Sequence, residues 1–473
     1  MPQVVIIGAG VTGLATGFWL QQRAPHVDFV VLEAREQAGG NVGTEEVHGF
    51  RVERGPNGFL DRSPALPQLI EALGLKERLI AASTSSRRHR FLCVGERLYR
   101  LPTHPLGLLS TPLLSWRGKW ELLRGVWRRV RRSADSDETV YDFVARRFGR
   151  EAADLFADAL VTGIQGGDAK QLSLAACFPR LARWERDYGQ VVRGWWFESR
   201  QRRHYARQHG LPPPAPPRLW SFPEGLQGLI AALAHALGGR LLLGTPVTAL
   251  EPLLGPAGGS SGRWRIHCAS AAPQQAQAVV LACPAYVQSS WLASFDPTLA
   301  AEVAAIPYNR IAVVALGYRQ VDCPSVPDGF GYIAPQAQGR DVLGVQWCSA
   351  IFPQRAPAGL VLWRALCGGV RRAEMLDWDD ATLLQAVHQE MVQVLRVRAA
   401  PVFHRIIRWP RAIPQYVVGH LQRLTRIEAH LRRWPGLFLS GNAYRGIALS
   451  DCAEEAERIV TQLVGLFPPD ASH

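Results

Sequence analysis

The chain has 473 residues, about three domain-lengths. Hydrophobic residues are 47% and charged residues 20%, which excludes a largely disordered chain, and no apolar run reaches the ~20 residues of a bilayer span. The net charge of +13 is concentrated: from Arg87 to Arg207 there are 24 Lys and Arg against 13 Asp and Glu, and the whole chain holds only three lysines, so the excess is arginine. Such a surface attracts nucleic acid, an anionic membrane or an acidic small molecule; a solvated helix face is the plain alternative.

Met1-Pro2-Gln3 leads straight into Val4-Val5-Ile6-Ile7, with no basic segment or cleavage site, so a secretory signal is not expected. The eight cysteines are scattered and form no CxxC pair, so no metal cluster or disulfide framework is indicated and a reduced cytoplasmic setting is expected. The Val4–Ile7 run reads as a buried parallel strand. Gly8-Ala9-Gly10-Val11-Thr12-Gly13 follows, then a helix pattern from Leu14 to Leu20. In GxGxxG between strand and helix, the first glycine permits the tight turn. The second lets backbone approach a pyrophosphate, and the third lets helix and strand pack closely. The helix start offers N–H groups and a positive dipole end to phosphate. A second strand, Phe29–Leu32, ends in Glu33, placed to accept hydrogen bonds from ribose hydroxyls.

Beyond Glu33-Ala34, a second glycine pair, Gly39-Gly40-Asn41, and a turn, Gly55-Pro56-Asn57-Gly58, allow further close backbone approach to a flat ring. Residues 63–79 have helical spacing. Arg87–Arg90 passes into a strand at Phe91–Val94, with a return strand at Leu98–Leu101. Leu101–Trp127 is rich in Leu, Trp and Pro, and Arg128–Arg132 closes it. Aromatic rings beside arginines suit a membrane surface, and a core helix with a basic end is the alternative. No recognised nucleic-acid module accompanies the charge, so no nucleic-acid partner is expected.

Helical patterns over 139–148 and 151–160 lead to Val161-Thr162-Gly163-Ile164-Gln165-Gly166-Gly167-Asp168, where three glycines after a helix suggest backbone lying against a ligand. The Pro-rich Leu211–Pro217 reads as a stiff extended linker or loop. A helix at Gln227–Leu237 and strands near 241–243, 247–250, 264–268 and 278–281 return the chain to the dinucleotide domain, which is therefore discontinuous. At the end, Gly436–Asn442 is a strand closing in Gly441-Asn442, and Gly446–Asp451 opens the last helix.

The motifs GAGVTG, EARE-x-x-GGN, ERGPN, TGIQGGD-x-x-QLS, SFPEGL, FPQRAP, WPRAIPQY-x-x-GH and GNAYRG-x-x-L-x-DC together resemble the FAD-dependent, oxygen-using protoporphyrinogen oxidases of the flavin amine oxidase superfamily. The resemblance runs nearly end to end. It implies an α/β fold: a Rossmann-like FAD-binding domain with a mixed-sheet substrate domain and a helical membrane-binding region. The corresponding division is 1–80, 218–290 and 411–473 for the FAD domain, 81–110 and 291–410 for the substrate domain, and 111–210 for the helical region. The implied reaction removes six electrons from protoporphyrinogen IX as three hydrides passed to non-covalent FAD, with O2 as acceptor and H2O2 as product. Coproporphyrinogen III, with four propionates, is the alternative substrate.

Carried over residue by residue, the resemblance places Gly8, Ala9, Gly10, Val11, Thr12, Gly13, Glu33, Ala34, Gly40, Asn41, Gly55, Pro56, Asn57, Gly58, Val247, Trp409, Gly441, Asn442, Ile447, Ala448 and Leu449 at the cofactor. Asn57 and Gly163 are implied at the reacting centre, accepting hydrogen bonds from pyrrole N–H groups. Arg90 is implied as the propionate partner, with Arg87 and Arg88 as competitors, and Thr162, Ile333 and Phe352 as further substrate contacts. No Ser-His-Asp set, metal cluster or carboxylate pair suggests a protein nucleophile or base, which fits hydride transfer. Many amine oxidases place a lysine near the flavin well past mid-chain; no lysine follows Lys170 here. A cytoplasmic protein in peripheral contact with an anionic membrane is implied, with a homodimer left open.

Overall fold

The computed structural model describes residues 2–102, 107, 110–128, 137–209, 215–254, 260–269 and 272–469. Arg129–Arg132, residues 211–214 of the Pro-rich stretch and part of the Gly/Ser loop near Gly258 lie outside the described residues. The chain divides into two compact units. The first comprises Met1–Ala81, Leu219–Pro307 and Gln422–His473, and the second Ala82–Arg218 and Tyr308–Leu421.

The first unit is built on five parallel strands in the order Leu241–Leu242, Phe29–Leu32, Val4–Ile7, Ala278–Leu281 and Leu437–Leu439. Val4 stands opposite both Phe29 and Ala278. Helices Val11–Arg23, Gln227–Leu237 and Leu449–Leu466 send Leu14, Phe18, Leu229, Leu233, Ala456 and Val460 into one core with Val4, Ile6, Val31 and Val280. A parallel strand covered on its faces needs no polar alternation, which is why Val4–Ile7 is an unbroken apolar run.

The second unit carries a seven-stranded mixed sheet in the order Phe403–Trp409, Arg310–Arg319, Leu360–Gly369, Gly344–Gln346, Gly331–Ile333, Phe91–Val94 and Arg97–Arg100. One face packs on helix Asp380–Leu395: Val314, Leu316, Tyr332, Trp363 and Ala365 join Leu383, Val387 and Met391 in a single core. Alternation along each strand then turns Val313, Ile333, Gln346 and Arg364 to the opposite face.

The helical segment belongs to this second unit. Arg147, 2% exposed, meets Glu185 at 2.6 Å and also donates to the carbonyls of Gly125, Arg128 and Gly189, at the C-terminal ends of helices Trp116–Trp127 and Pro179–Tyr188. A cation there complements both helix dipoles. Arg146 bridges Glu138 and Glu185 at 2.8 and 2.7 Å. Part of the arginine excess is therefore internal framework rather than surface.

Two boundaries differ from those expected. The first unit runs on to Pro307 rather than 290, because helix Pro297–Ala304 buries Leu299 and Val303 beside helix Ala285–Leu292. It resumes at Gln422 rather than 411, because residues up to Val418 bond to the 165–173 segment of the second unit.

Candidate active site

Gly8 ends the first strand with its N–H on the Leu32 carbonyl at 2.7 Å and φ +109°. A Cβ there would stand 2.8 Å from the Cys283 nitrogen, so glycine alone takes both the angle and the space. On Gly13 a Cβ would stand 1.9 Å from the Gly8 carbonyl oxygen, so its absence lets helix Val11–Arg23 close onto the turn. Gly10 serves differently: nothing lies within 4 Å of where its Cβ would project. That space lies at the helix N-terminus, which no side chain among the described residues caps. Backbone N–H groups and the dipole end there favour a phosphate.

Glu33, 7% exposed, accepts at Oε2 from the Ala9 N–H at 2.8 Å and at Oε1 from the Arg35 N–H at 3.1 Å. Ala34 beside it is exposed. Thr245 donates to the Glu33 carbonyl at 2.8 Å, bringing the approach to Val247 alongside. Gly39 donates to the Ala9 carbonyl at 2.8 Å, and a Cβ on Gly40 would stand 3.2 Å from the Gly10 Cα. The two glycine motifs therefore form one surface. A Cβ on Gly55 would stand 2.1 Å from the Asn41 carbonyl oxygen, which ties the Gly55–Gly58 turn to the same place.

Asn57, in that turn, is 6% exposed, and neither its Nδ2 nor its Oδ1 has a hydrogen-bond partner among the described residues. Leaving such a group unsatisfied costs about 1–3 kcal/mol, so the amide marks a place for a bound polar group. Gly441, φ +112°, and Gly8 flank the same Ala282–Cys283 segment. Asp451 Oδ2 accepts from the Ala448 N–H at 2.9 Å and opens helix Leu449–Leu466 just after Ile447.

Two residues of this region escaped the sequence. Gln288, fully buried, donates to the carbonyls of Leu281, Cys283 and Ser440, and Tyr444 donates to its oxygen. The only signal was a glutamine on the apolar side of a short helix. Trp409, expected at the cofactor, belongs to the second unit: its strand pairs with Arg310–Arg319, and Trp409 stands opposite Ile311.

The first unit's residues fit a flavin dinucleotide. There is room for pyrophosphate at Gly10, a carboxylate for ribose hydroxyls at Glu33, and a buried, unpartnered amide at Asn57.

In the second unit Gly163 does not lie in a loop. The helix continues through it to Gln165 and ends at Gly166, φ +54°. Glycine is accepted mid-helix because Ile333 fills its side: a Cβ on Gly163 would stand 2.5 Å from the Ile333 Cδ1. Leu160 and Ile164, 39% and 42% exposed, share this open apolar face at helical spacing. Thr162 does not share it; the side chain is buried and takes a hydrogen bond from Gln336 Nε2 at 2.9 Å. Phe352 is fully buried, with Arg355 over its ring, and is also absent from the open face. Arg90 is exposed and lies over the Phe330 ring at 4.7 Å, immediately before the strand Phe91–Val94 that pairs with Gly331–Ile333. Arg87 and Arg88 are exposed at the end of the short helix Thr84–Arg88.

A parallel sheet with this cradle at its strand ends defines a dinucleotide-binding fold. Residues 11–464 match the flavin containing amine oxidoreductases; the chain belongs to that family and is an FAD-dependent oxidoreductase. It is 29% identical over 481 residues to the chloroplastic protoporphyrinogen oxidase of Nicotiana tabacum, covering 98% of this chain and 85% of the relative. It is 26% identical over 471 residues to the coproporphyrinogen III oxidase of Staphylococcus aureus, covering 97% and 99%. A crystal structure from Exiguobacterium, of a protein provisionally named protoporphyrinogen oxidase, superposes with a TM-score of 0.81 at 26% identity, covering 97% and 98% of the two chains.

Proposed function

We propose that this chain oxidises protoporphyrinogen IX to protoporphyrin IX, with O2 as final acceptor and H2O2 as product. The observation that carries the reading is the likeness over 98% of the chain to a plant protoporphyrinogen oxidase. When bound, non-covalent FAD supplies the two-electron acceptor for each oxidation step. Gly8–Gly13 and Glu33 hold the dinucleotide, and Asn57 offers its amide oxygen to a pyrrole N–H. In the second unit the Leu160, Gly163 and Ile164 face, with Ile333, takes the apolar macrocycle. Arg90 pairs with a propionate through the two-point geometry of guanidinium and carboxylate. No side chain is assigned as a base.

Coproporphyrinogen III is the second reading, favoured by the near full-length likeness to the staphylococcal enzyme. Turnover of the two porphyrinogens by the purified yellow protein, followed by porphyrin fluorescence and peroxide, decides between them. Porphyrin from neither would overturn both.

We further propose a cytoplasmic protein that attaches peripherally to an anionic membrane. No helix among the described residues is long and apolar enough to cross one. Trp116, Trp120, Leu123 and Trp127, 87%, 63%, 36% and 75% exposed, form one stripe along a single helix. Arg117, Lys119 and Arg124 flank it. Aromatic rings at the headgroup level with cations beside them suit that surface.

A further inference from the structure

The motif from Ile413 to Val418 runs along residues 165–173 of the second unit. Ser173 donates to the Tyr416 carbonyl at 2.8 Å, Val418 to the Gln171 carbonyl at 3.0 Å, and Leu172 pairs with Val417. Where this segment begins, two side-chain amides converge on one carbonyl. Asn309 Nδ2 donates to the Gln165 carbonyl at 2.7 Å and to the Gly166 carbonyl at 3.1 Å. Gln415 Nε2 donates to the same Gln165 carbonyl at 3.1 Å and to that of Ile413 at 3.0 Å. Asn309 Oδ1 accepts from the Ile413 N–H at 2.9 Å. Carbonyl oxygens only accept, so both amides must present their NH2 groups here, and their orientation is settled by the network.

Both side chains are 3% exposed. Neither belongs to the open face of the helix. What they hold is its C-terminal turn, whose last carbonyls have no partner within the helix. Gly163 lies two residues before Gln165, and the room for its face is limited by Ile333. A shift of the terminal turn therefore moves Gly163 against Ile333 and changes the height of the whole Leu160–Ile164 face.

We infer that Asn309 and Gln415 are positioning residues for substrate: they clamp the helix end that carries Gly163, and the Ile413–Val418 motif serves to deliver that clamp. The inference rests on the porphyrinogen reading of the open face. It predicts a defect confined to the reductive half of the reaction, because the dinucleotide-holding residues Gly8–Gly13 and Glu33 lie in the other unit.

The test uses FAD-loaded Asn309→Ala and, in parallel, Gln415→Leu, which leaves the Asn309 hydrogen bonds in place. Anaerobic flavin reduction by protoporphyrinogen IX and by coproporphyrinogen III is followed by stopped flow. Separately, the dithionite-reduced proteins are mixed with O2 and reoxidation is timed. Misplacing a reacting group by about 1 Å costs on the order of 100-fold, so porphyrinogen-driven reduction of Asn309→Ala should slow by about that factor, and that of Gln415→Leu by less. Flavin content and reoxidation should match wild type. Wild-type reduction rates in a folded variant overturn the inference, as does a parallel loss of both half-reactions. Loss of flavin from both variants assigns the amides a purely structural role and also overturns it. If neither porphyrinogen reduces the wild-type flavin, the porphyrinogen reading itself fails and the inference falls with it.

Discussion

Glu33 Oε2 accepts the Ala9 N–H at 2.8 Å, joining the acid at the end of the second strand to the first glycine turn. Acid and phosphate site are thereby one rigid piece. Glu33→Ala removes both the ribose acceptor and this brace. Hydrogen bonds to a charged group contribute about 1.5–3 kcal/mol, so FAD affinity should fall by roughly 10- to 150-fold. Gly10→Val fills the open space and should yield apo-protein. Flavin content after gel filtration reads both, and a Glu33→Ala protein that keeps its flavin on dilution would contradict the assignment.

Gly163→Ala places a methyl group 2.5 Å from the Ile333 Cδ1. Overpacking of this kind costs about 1–3 kcal/mol, relieved only if the isoleucine swings away. The variant should keep its flavin but lose kcat/KM. Adding Ile333→Ala should recover part of the loss, the mark of a coupled pair. Additive losses in the double variant would show that the two side chains act separately.

Arg90→Ala should raise KM by roughly 10- to 150-fold with kcat little changed, because a propionate contact remote from the reacting carbon is alike in ground and transition states. Arg90→Lys should recover only part, since an ammonium lacks the planar fork. Esterified propionates should erase the difference between wild type and variant. A raised KM in Arg87→Ala or Arg88→Ala, with Arg90→Ala unaffected, would transfer the role to that residue.

Burial pushes the Glu185 carboxyl up, but hydrogen bonds and charge from Arg146 and Arg147 outweigh it and hold it below the usual range. A carboxyl lowered on folding contributes stability that is fully present above its unfolded pKa of about 4.3 and is lost as pH falls through the folded value. Tm should therefore drop more steeply on acidification below about pH 4.3 in wild type than in Glu185→Gln. At neutral pH the variant should be less stable by about 3–5 kcal/mol, because Arg147 is left buried without its carboxylate. Parallel Tm-against-pH curves would remove Glu185 from the account.

Trp116→Ser with Trp120→Ser should weaken sedimentation with anionic vesicles and leave turnover of soluble substrate unchanged. Each basic residue near such a surface adds about 1 kcal/mol, so binding should also weaken as salt rises. Equal binding to neutral and anionic vesicles would remove the electrostatic part of the proposal.

The cofactor cradle was legible because its requirements are local. A strand, three glycines at fixed spacing, a helix start and an acid after the next strand each answer to a neighbour close in sequence, and Gly8, Gly10, Gly13 and Glu33 stand where that pattern predicts. The helical course through Gly163 was hidden, since glycine in a helix reads as a break until Ile333 is seen filling its side. The unit that Trp409 joins was hidden for a similar reason: strand hydrogen bonds to Arg310–Arg319, rather than its motif neighbours, decide it.

Sequence alone determined the α/β flavoprotein class, the strand–glycine–helix turn with its acid, and the resemblance to porphyrinogen oxidases, all carried by short-range patterns of glycine, charge and apolar periodicity. Tertiary structure alone decided which polar side chains act as braces. Asn309 meets a carbonyl 144 residues away and Gln415 one 250 residues away, and Gln288 ties Leu281 to Ser440. A buried amide has no periodicity of its own. Its partners are backbone carbonyls, which every residue carries, so only the folded chain can specify which of them it meets.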